Sequence, residues 1–451
     1  MPASAFGPAI RAFAAQNNIV AVNTFDPRSL TQTIVDPKFR SPYAEQWSLG
    51  IQRQINPRTV AEVRYLGTHG VGLFQQAITN PQFNRLITGF SATVKDAANQ
   101  NVTITFPGFP NLVPQGLTPT VCPNYPGVSH VTCDGRILPQ ARVLSRQNSA
   151  QSIYHSLQTR FGTRLFNQFT FQASYTFSKA LDNASEIFAF QESPTAQDPF
   201  SIGHQERGYS GFDRRHAAAF NWLWDVPLYK SQEGLLGHLL GGFQLNGTYV
   251  VANGLRFTPR QNFNNNLLGG PTYVDYTTGD VLRPFTANPK ADPMSVAITD
   301  IDLALLGLAP YTKSPTGLYS LTAFNKTKQL VPISLSDAFL VANLPGAAKM
   351  FGTPFGNAGR NSLIGPLLNQ INMGIFKNTR IKERFTLQLR LEAFNVFNHP
   401  NPGYGLDSAP ATFNNGAVPD NNLQDAGISF MDPKQVEYNR RIIQLGIRFV
   451  F

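Results

Sequence analysis

Along much of this chain, apolar and polar residues occupy alternate positions. Trp47, Leu49 and Ile51 alternate with Gln46, Ser48, Gly50 and Gln52, and Thr59, Ala61, Val63 and Tyr65 with Glu62 and Arg64. The pattern is most regular where Phe169, Phe171, Ala173, Tyr175 and Phe177 interleave with Thr170, Gln172, Ser174, Thr176 and Ser178. It recurs over 154–161, 216–226, 243–251, 371–375 and 385–393. In the final stretch, 441–451, Ile443, Leu445, Ile447, Phe449 and Phe451 share one face; Gln444, Gly446 and Arg448 take the other, with Val450 as an exception. A period of two belongs to a β-strand, whose successive side chains point to opposite faces. An apolar face opposite a polar one places each strand between two different surroundings. The pattern predicts about nine strands, most of them near the 9–11 residues that cross a bilayer as tilted β.

The connections sort by length. Tight-turn chemistry appears at Asn56-Pro57-Arg58, Phe166-Asn167-Gln168 and Ile381-Lys382-Glu383, with a moderate connector at 227–241. Between these lie long segments at 67–149, 182–211, 253–366 and 399–437, the third with room for short helices, for example near 336–344. Short connections follow odd strands and long ones follow even strands. In an antiparallel meander this puts all short turns at one end, as in outer-membrane barrels with short periplasmic turns and long outer loops. The expected fold is all-β: an antiparallel transmembrane outer-membrane β-barrel, about 9–12 strands of a larger one, with long extracellular loops. If the last strand ends in the periplasm, the first descends from outside. Residues 1–40 are then expected to be a loop or remnant of an upstream part of the barrel, and 41–451 its C-terminal part. On this reading the sequence is a fragment whose plug and signal peptide lie elsewhere.

Composition sharpens the picture. Only 14% of the 451 residues are charged, against roughly 25% in ordinary globular proteins. Aromatics reach 12%, including 35 Phe. No apolar run approaches the ~18 residues of a membrane-spanning helix, so the apolar residues are spread by alternation. The net charge of +10 is scattered, without a Lys/Arg block or nucleic-acid motif, which argues against a nucleic-acid partner. The first residues show no basic stretch followed by an apolar one, as a secretion signal would. Cys122 and Cys133 are too few for a zinc site and, in an oxidising compartment, are the candidate disulfide pair.

Catalytic chemistry is not legible. No Gly-x-Ser-x-Gly elbow occurs, and His69, His155, His204 and His216 lack metal-ligand spacing. No enzyme activity, cofactor or metal is expected. Asp213-Arg214-Arg215 could hold an anion, but suits pairing at a strand start. The stretch 356–361 has glycines but no following Lys-Ser/Thr, and reads as a turn before the seventh strand. On the polar faces Gln172, Ser174, Gln244, Asn246, Gln388, Arg390 and Glu392 are candidate lumen-lining residues; Arg390 and Glu392, two apart, either line a polar path or satisfy each other. Trp47, Trp222, Trp224, Phe397 and Phe449 suit interfacial aromatic girdles. A soluble sandwich would need a second sheet over the apolar face, and long loops disfavour it.

Several stretches are similar to the barrel of TonB-dependent transporters of the Oar-like type. They are Ser41 to Arg53 (SPYAEQWSLGIQR), Glu62 to Gly70 (EVRYLGTHG), Tyr154 to Gln158 (YHSLQ), Ala173 to Ala180 (ASYTFSKA), Asp213 to His216 (DRRH), Phe355 to Asn361 (FGNAGRN) and Glu392 to Pro400 (EAFNVFNHP). The ending also resembles the insertion signal of outer-membrane proteins, carried by Gln444, Gly446, Phe449 and Phe451. The resemblance implies a barrel of about 22 strands with an internal plug, energised from the inner membrane through a TonB box; this sequence shows neither plug nor box. It implies an outer-membrane receptor that binds a ligand with its outer loops and imports it through the lumen. The expected partners are outer-membrane lipid, the barrel assembly machinery, an unidentified ligand and, through a part outside this sequence, the TonB complex. The alternative is a cell-surface adhesion or interaction protein anchored by the barrel.

Overall fold

The alternating segments pair with one another in chain order. The structure is a computed structural model; it describes residues 32–78, 84–112, 143–185, 198, 206–262, 283–293, 295–312, 319–325, 329–381, 385–401, 412–414 and 440–450. Nine strands form the main sheet: β1 (Tyr43–Asn56), β2 (Thr59–Ile78), β3 (Val143–Leu165), β4 (Phe169–Asp182), β5 (His216–Asp225), β6 (Phe243–Ala252), β7 (Leu368–Ile381), β8 (Phe385–Phe394) and β9 (Ile442–Val450). Each is hydrogen-bonded to the next, so the sheet is an antiparallel meander. Among the described residues β1 and β9 do not pair, and the barrel is not closed. No described helix is long and apolar enough to cross a membrane, which says nothing of strands.

Strict alternation gathers the short connections at one end. The β1–β2 turn is two residues, and Asn56 Oδ1 accepts from Arg58 N at 2.9 Å. In the β3–β4 turn Phe166 and Asn167 both take left-handed backbone, with φ of 51° and 58°, which lets so short a loop reverse the chain. The β7–β8 turn at 382–384 lies outside the described residues. The β5–β6 connector contains a helix, Gly234–Leu240, that turns Leu235, Leu236, Leu239 and Leu240 outward. It is tied down by Lys377 Nζ, which donates to His238 O at 2.7 Å, and by Gln232 Nε2, which donates to Asn378 O at 2.8 Å.

Two expectations about the long connections need correction. The first was read as 67–149, but β2 continues to Ile78 and β3 starts at Val143, with pairing down to Ile78↔Leu144. The register slips between Gly70, Leu73 and Gln75, and Gln32–Val35 adds a parallel strand along 143–146. These extensions lack the alternation that marks the rest. The helix expected near 336–344 is not there; that stretch holds strand Leu340–Val341, and the helix is Pro345–Phe351.

The third connection carries a folded unit. Strands Phe285–Thr286, Leu340–Val341, Val296–Thr299, Leu321–Phe324 and Leu330–Pro332 form a small sheet in that order. Val296, Ile298, Leu303, Phe339, Leu340 and Leu344 make its core. The first connection contributes a hairpin, Phe90–Lys95 with Asn101–Phe106, and the two connections share a second core of Leu86, Phe106, Ile301, Ala348 and Phe355. This unit, the cap, stands at the long-connection end of the sheet.

Candidate functional site

Directly opposed residues of an antiparallel pair lie on one face, so the register assigns every strand residue to a side. One line runs Gln52, Glu62, Arg160, Ser174, Ala219. A second runs Gly162, Gln172, Asn221, Thr248, Asn372. Others run Asn246, Gly374, Glu392, Gln444, then Gln244, Phe376, Arg390, Gly446, then Asn378, Gln388, Arg448. All seven candidate lumen residues thus share one side with Gln444 and Gly446. This side is polar and hydrogen-bonded: Gln244 Nε2 donates to Asp225 Oδ1 at 2.7 Å, Gln388 Nε2 to Asn378 Oδ1 at 2.7 Å and Asn372 Nδ2 to Thr248 Oγ1 at 3.1 Å. Arg390 and Glu392 do not satisfy each other: Arg390 Nε donates to Gln388 Oε1 at 2.6 Å, and its guanidinium lies over Phe376.

The other side is greasy over most of its extent. Leu49, Ile51, Leu445 and Ile447 are 74–79% exposed; no second sheet covers them among the described residues. Phe171, Phe220 and Tyr249 stack across β4, β5 and β6. Trp47 sits opposite Gly67 and Trp222 opposite Gly247, where a β-carbon would overlap the indole; glycine makes room for a flat cross-strand aromatic. Tyr65 and Tyr175 meet His155 and His216, each hydroxyl 2.7 Å from Nδ1. Towards the long-connection end on this side, His69 Nδ1 is 3.5 Å from Glu45. Trp222 and Trp224 lie towards the short-turn end of β5, and Phe449 stacks on Phe385. Phe397, expected in a girdle, sits exposed in the turn just after β8. Cys122, Cys133, His204 and Phe451 lie outside the described residues.

Cap and sheet are joined by buried ion pairs that the sequence did not disclose. Arg360 pairs with Asp182 at the end of β4, and Arg283 with Glu206. Arg256 Nε donates to Asp213 Oδ2 at 2.7 Å while Asp213 Oδ1 accepts from Ala180 N at 2.7 Å. Asp213 therefore pairs with its neighbours, as its place before a strand suggested. The turn at 356–361 is more than a turn: Arg360 also donates to Glu206 O at 2.9 Å, and Asn361 Nδ2 to Tyr209 O at 2.8 Å. Inside the cap, Asp302 is fully buried. Its carboxylate accepts from Thr299 Oγ1 at 2.6 Å, Gly346 N at 2.7 Å and Ala347 N at 3.0 Å. Desolvation nonetheless pushes its pKa up to about 7.

The model of the outer membrane β-barrel domain family matches residues 3–444. The chain belongs to that family, and it is a protein of the bacterial outer membrane. No curated protein matches its sequence. Solved structures similar to it include the outer membrane transporter YddB from Escherichia coli, 8% identical with a TM-score of 0.37 over 93% of this chain and 34% of that one. The siderophore receptor PirA from Acinetobacter baumannii is 7% identical, with a TM-score of 0.35 over 91% and 32%. The copper transporter OprC is 7% identical, with a TM-score of 0.31 over 92% and 32%. The chain spans about a third of the length of these structures. Barrels of that membrane carry an apolar band on the side that meets lipid.

Proposed function

We propose that the chain forms part of the wall of an outer-membrane receptor of the TonB-dependent kind, in which the cap engages a ligand and the polar side lines the path inward. The observation that carries this is the register: Gln172 and Ser174 of β4, Gln244 and Asn246 of β6, and Gln388, Arg390 and Glu392 of β8 share the polar side across five neighbouring strands, and a folded cap stands at its long-connection end. Membrane-exposed proteins use such alternation to keep one side in lipid and the other in water. The test is thiol labelling in intact outer membranes, on a background with Cys122 and Cys133 replaced by Ser. Ser174→Cys reacts with a membrane-impermeant reagent, whereas Ala173→Cys reacts only with a lipid-soluble one. Equal labelling of both by the impermeant reagent removes the lumen assignment.

A second reading has its own support. The cap has its own hydrophobic cores and so forms a folded surface module, as adhesion to another cell or molecule requires. Cells expressing the protein with the cap residues 283–358 replaced by a short linker distinguish the two. Loss of surface attachment with solute uptake unchanged favours adhesion.

A further inference from the structure

The polar side carries six charged residues of one sign, Arg64, Arg160, Arg164, Arg380, Arg390 and Arg448, against Glu62, Asp182, Asp225 and Glu392, of which Asp182 is taken by Arg360. The cationic members are all arginine. They are not evenly partnered. Arg64 Nη2 holds Glu62 Oε1 at 2.6 Å, and Arg390 is committed to Gln388 and Phe376. At the short-turn end, Arg58, Arg160 and Arg164 have no ion-pair partner among the described residues; among their guanidiniums only that of Arg164 donates within the described residues, to Asn167 O at a long 3.4 Å. Glu62 lies directly opposite Arg160 across the β2–β3 pair, but its carboxylate is engaged by Arg64.

These three guanidiniums line one groove of about 380 Å³ together with Gln52, Glu62 and Gln172. A second groove of about 290 Å³ adjoins it and shares Arg160 and Gln172, adding Ser174 and Asn221. Three exposed cations gathered around one concavity give it a positive potential that draws anions. A guanidinium is also the side chain best shaped to grip a carboxylate or phosphate through two parallel hydrogen bonds. The amide and hydroxyl groups around them supply further hydrogen-bonding capacity.

We propose that this double groove is a binding site for a small polyanion bearing carboxylate or phosphate groups, near the periplasmic mouth of the lumen. Arg160 is the central ligand, between both grooves, with Arg58 and Arg164 on the turn side and Gln172 shared. The assignment rests on the polar side lining the lumen, and narrows what passes along it to anions.

The test uses the full chain, refolded in detergent and checked for heat-modifiable mobility, with citrate and pyrophosphate as probes in titration calorimetry. Either probe binds saturably, and binding weakens as salt is raised. Arg160→Gln weakens it by roughly tenfold or more, the scale of a lost charge-assisted pair, and Arg58→Gln, in a solvent-facing turn, does so even if Arg160→Gln folds poorly. Arg448→Gln, on the same side in β9, leaves it unchanged. A preference for citrate or pyrophosphate identifies the group recognised. No binding of either probe, or equal weakening by Arg448→Gln, overturns the site. Ser174→Cys labelling keeps the two ideas apart. Aqueous labelling without anion binding sinks the site alone, and anion binding without aqueous labelling in membranes sinks the lumen assignment and leaves an anion site.

Discussion

Placing the same charge on the two sides of the sheet should have opposite consequences. Leu391 in β8 lies on the greasy side, flanked by Ile375 and Leu445 and 41% exposed within the chain. Thr248 in β6 lies on the polar side, flanked by Asn221 and Asn372. An arginine at a mid-bilayer, lipid-facing position of a barrel costs about 2–4 kcal/mol. Leu391→Arg should therefore shift the folding equilibrium by roughly 30- to 1000-fold, at 1.36 kcal/mol per factor of ten. Thr248→Arg loses the hydrogen bond from Asn372, and a net cost near 1 kcal/mol follows. Both variants are refolded into lipid vesicles and titrated with urea, with heat-modifiable gel mobility reporting the folded fraction. A Leu391→Arg midpoint equal to or above that of Thr248→Arg would refute the assignment of the greasy side to lipid.

Further outcomes follow from the cap and the turn end. Arg360→Ala strips Asp182 of its buried partner, a loss of about 3–5 kcal/mol; limited proteolysis should cut the cap sooner while the sheet keeps its heat-modifiable mobility. The Asp302 pKa is raised from 3.8 to about 7, so the folded cap holds this proton more tightly than the unfolded chain. Its contribution is fully present below about pH 4 and falls as pH rises to about 7, by up to roughly 4 kcal/mol; Asp302→Asn should flatten that slope in hydrogen exchange of 296–305. Gly247→Ala pushes a methyl group into the Trp222 ring, costing about 1–3 kcal/mol and shifting tryptophan emission in vesicles. Leu235→Asn with Leu239→Asn, on the outward side of helix Gly234–Leu240, should reduce quenching by brominated lipid of a tryptophan placed at Leu236; unchanged quenching would remove this helix from the membrane boundary.

The sequence by itself determined the nine strands, their order of short and long connections, and the split of Gln172, Ser174, Asn246 or Gln388 from Phe171, Leu245 and Leu389. Each strand has an apolar side and a polar side, so a local rule of period two writes the boundary into consecutive residues. Tertiary structure alone decided what happens where that boundary ends. The far halves of β2 and β3 slip in register and lose the alternation. Arg360 reaches Asp182, and Phe106 meets Ile301, across long intervals of chain that no local pattern records. The convergence of Arg58, Arg160 and Arg164 lay between. Arg160 sits at a polar position of the β3 pattern, but only pairing of β2, β3 and β4 brings the three together and shows that Glu62 is already taken by Arg64.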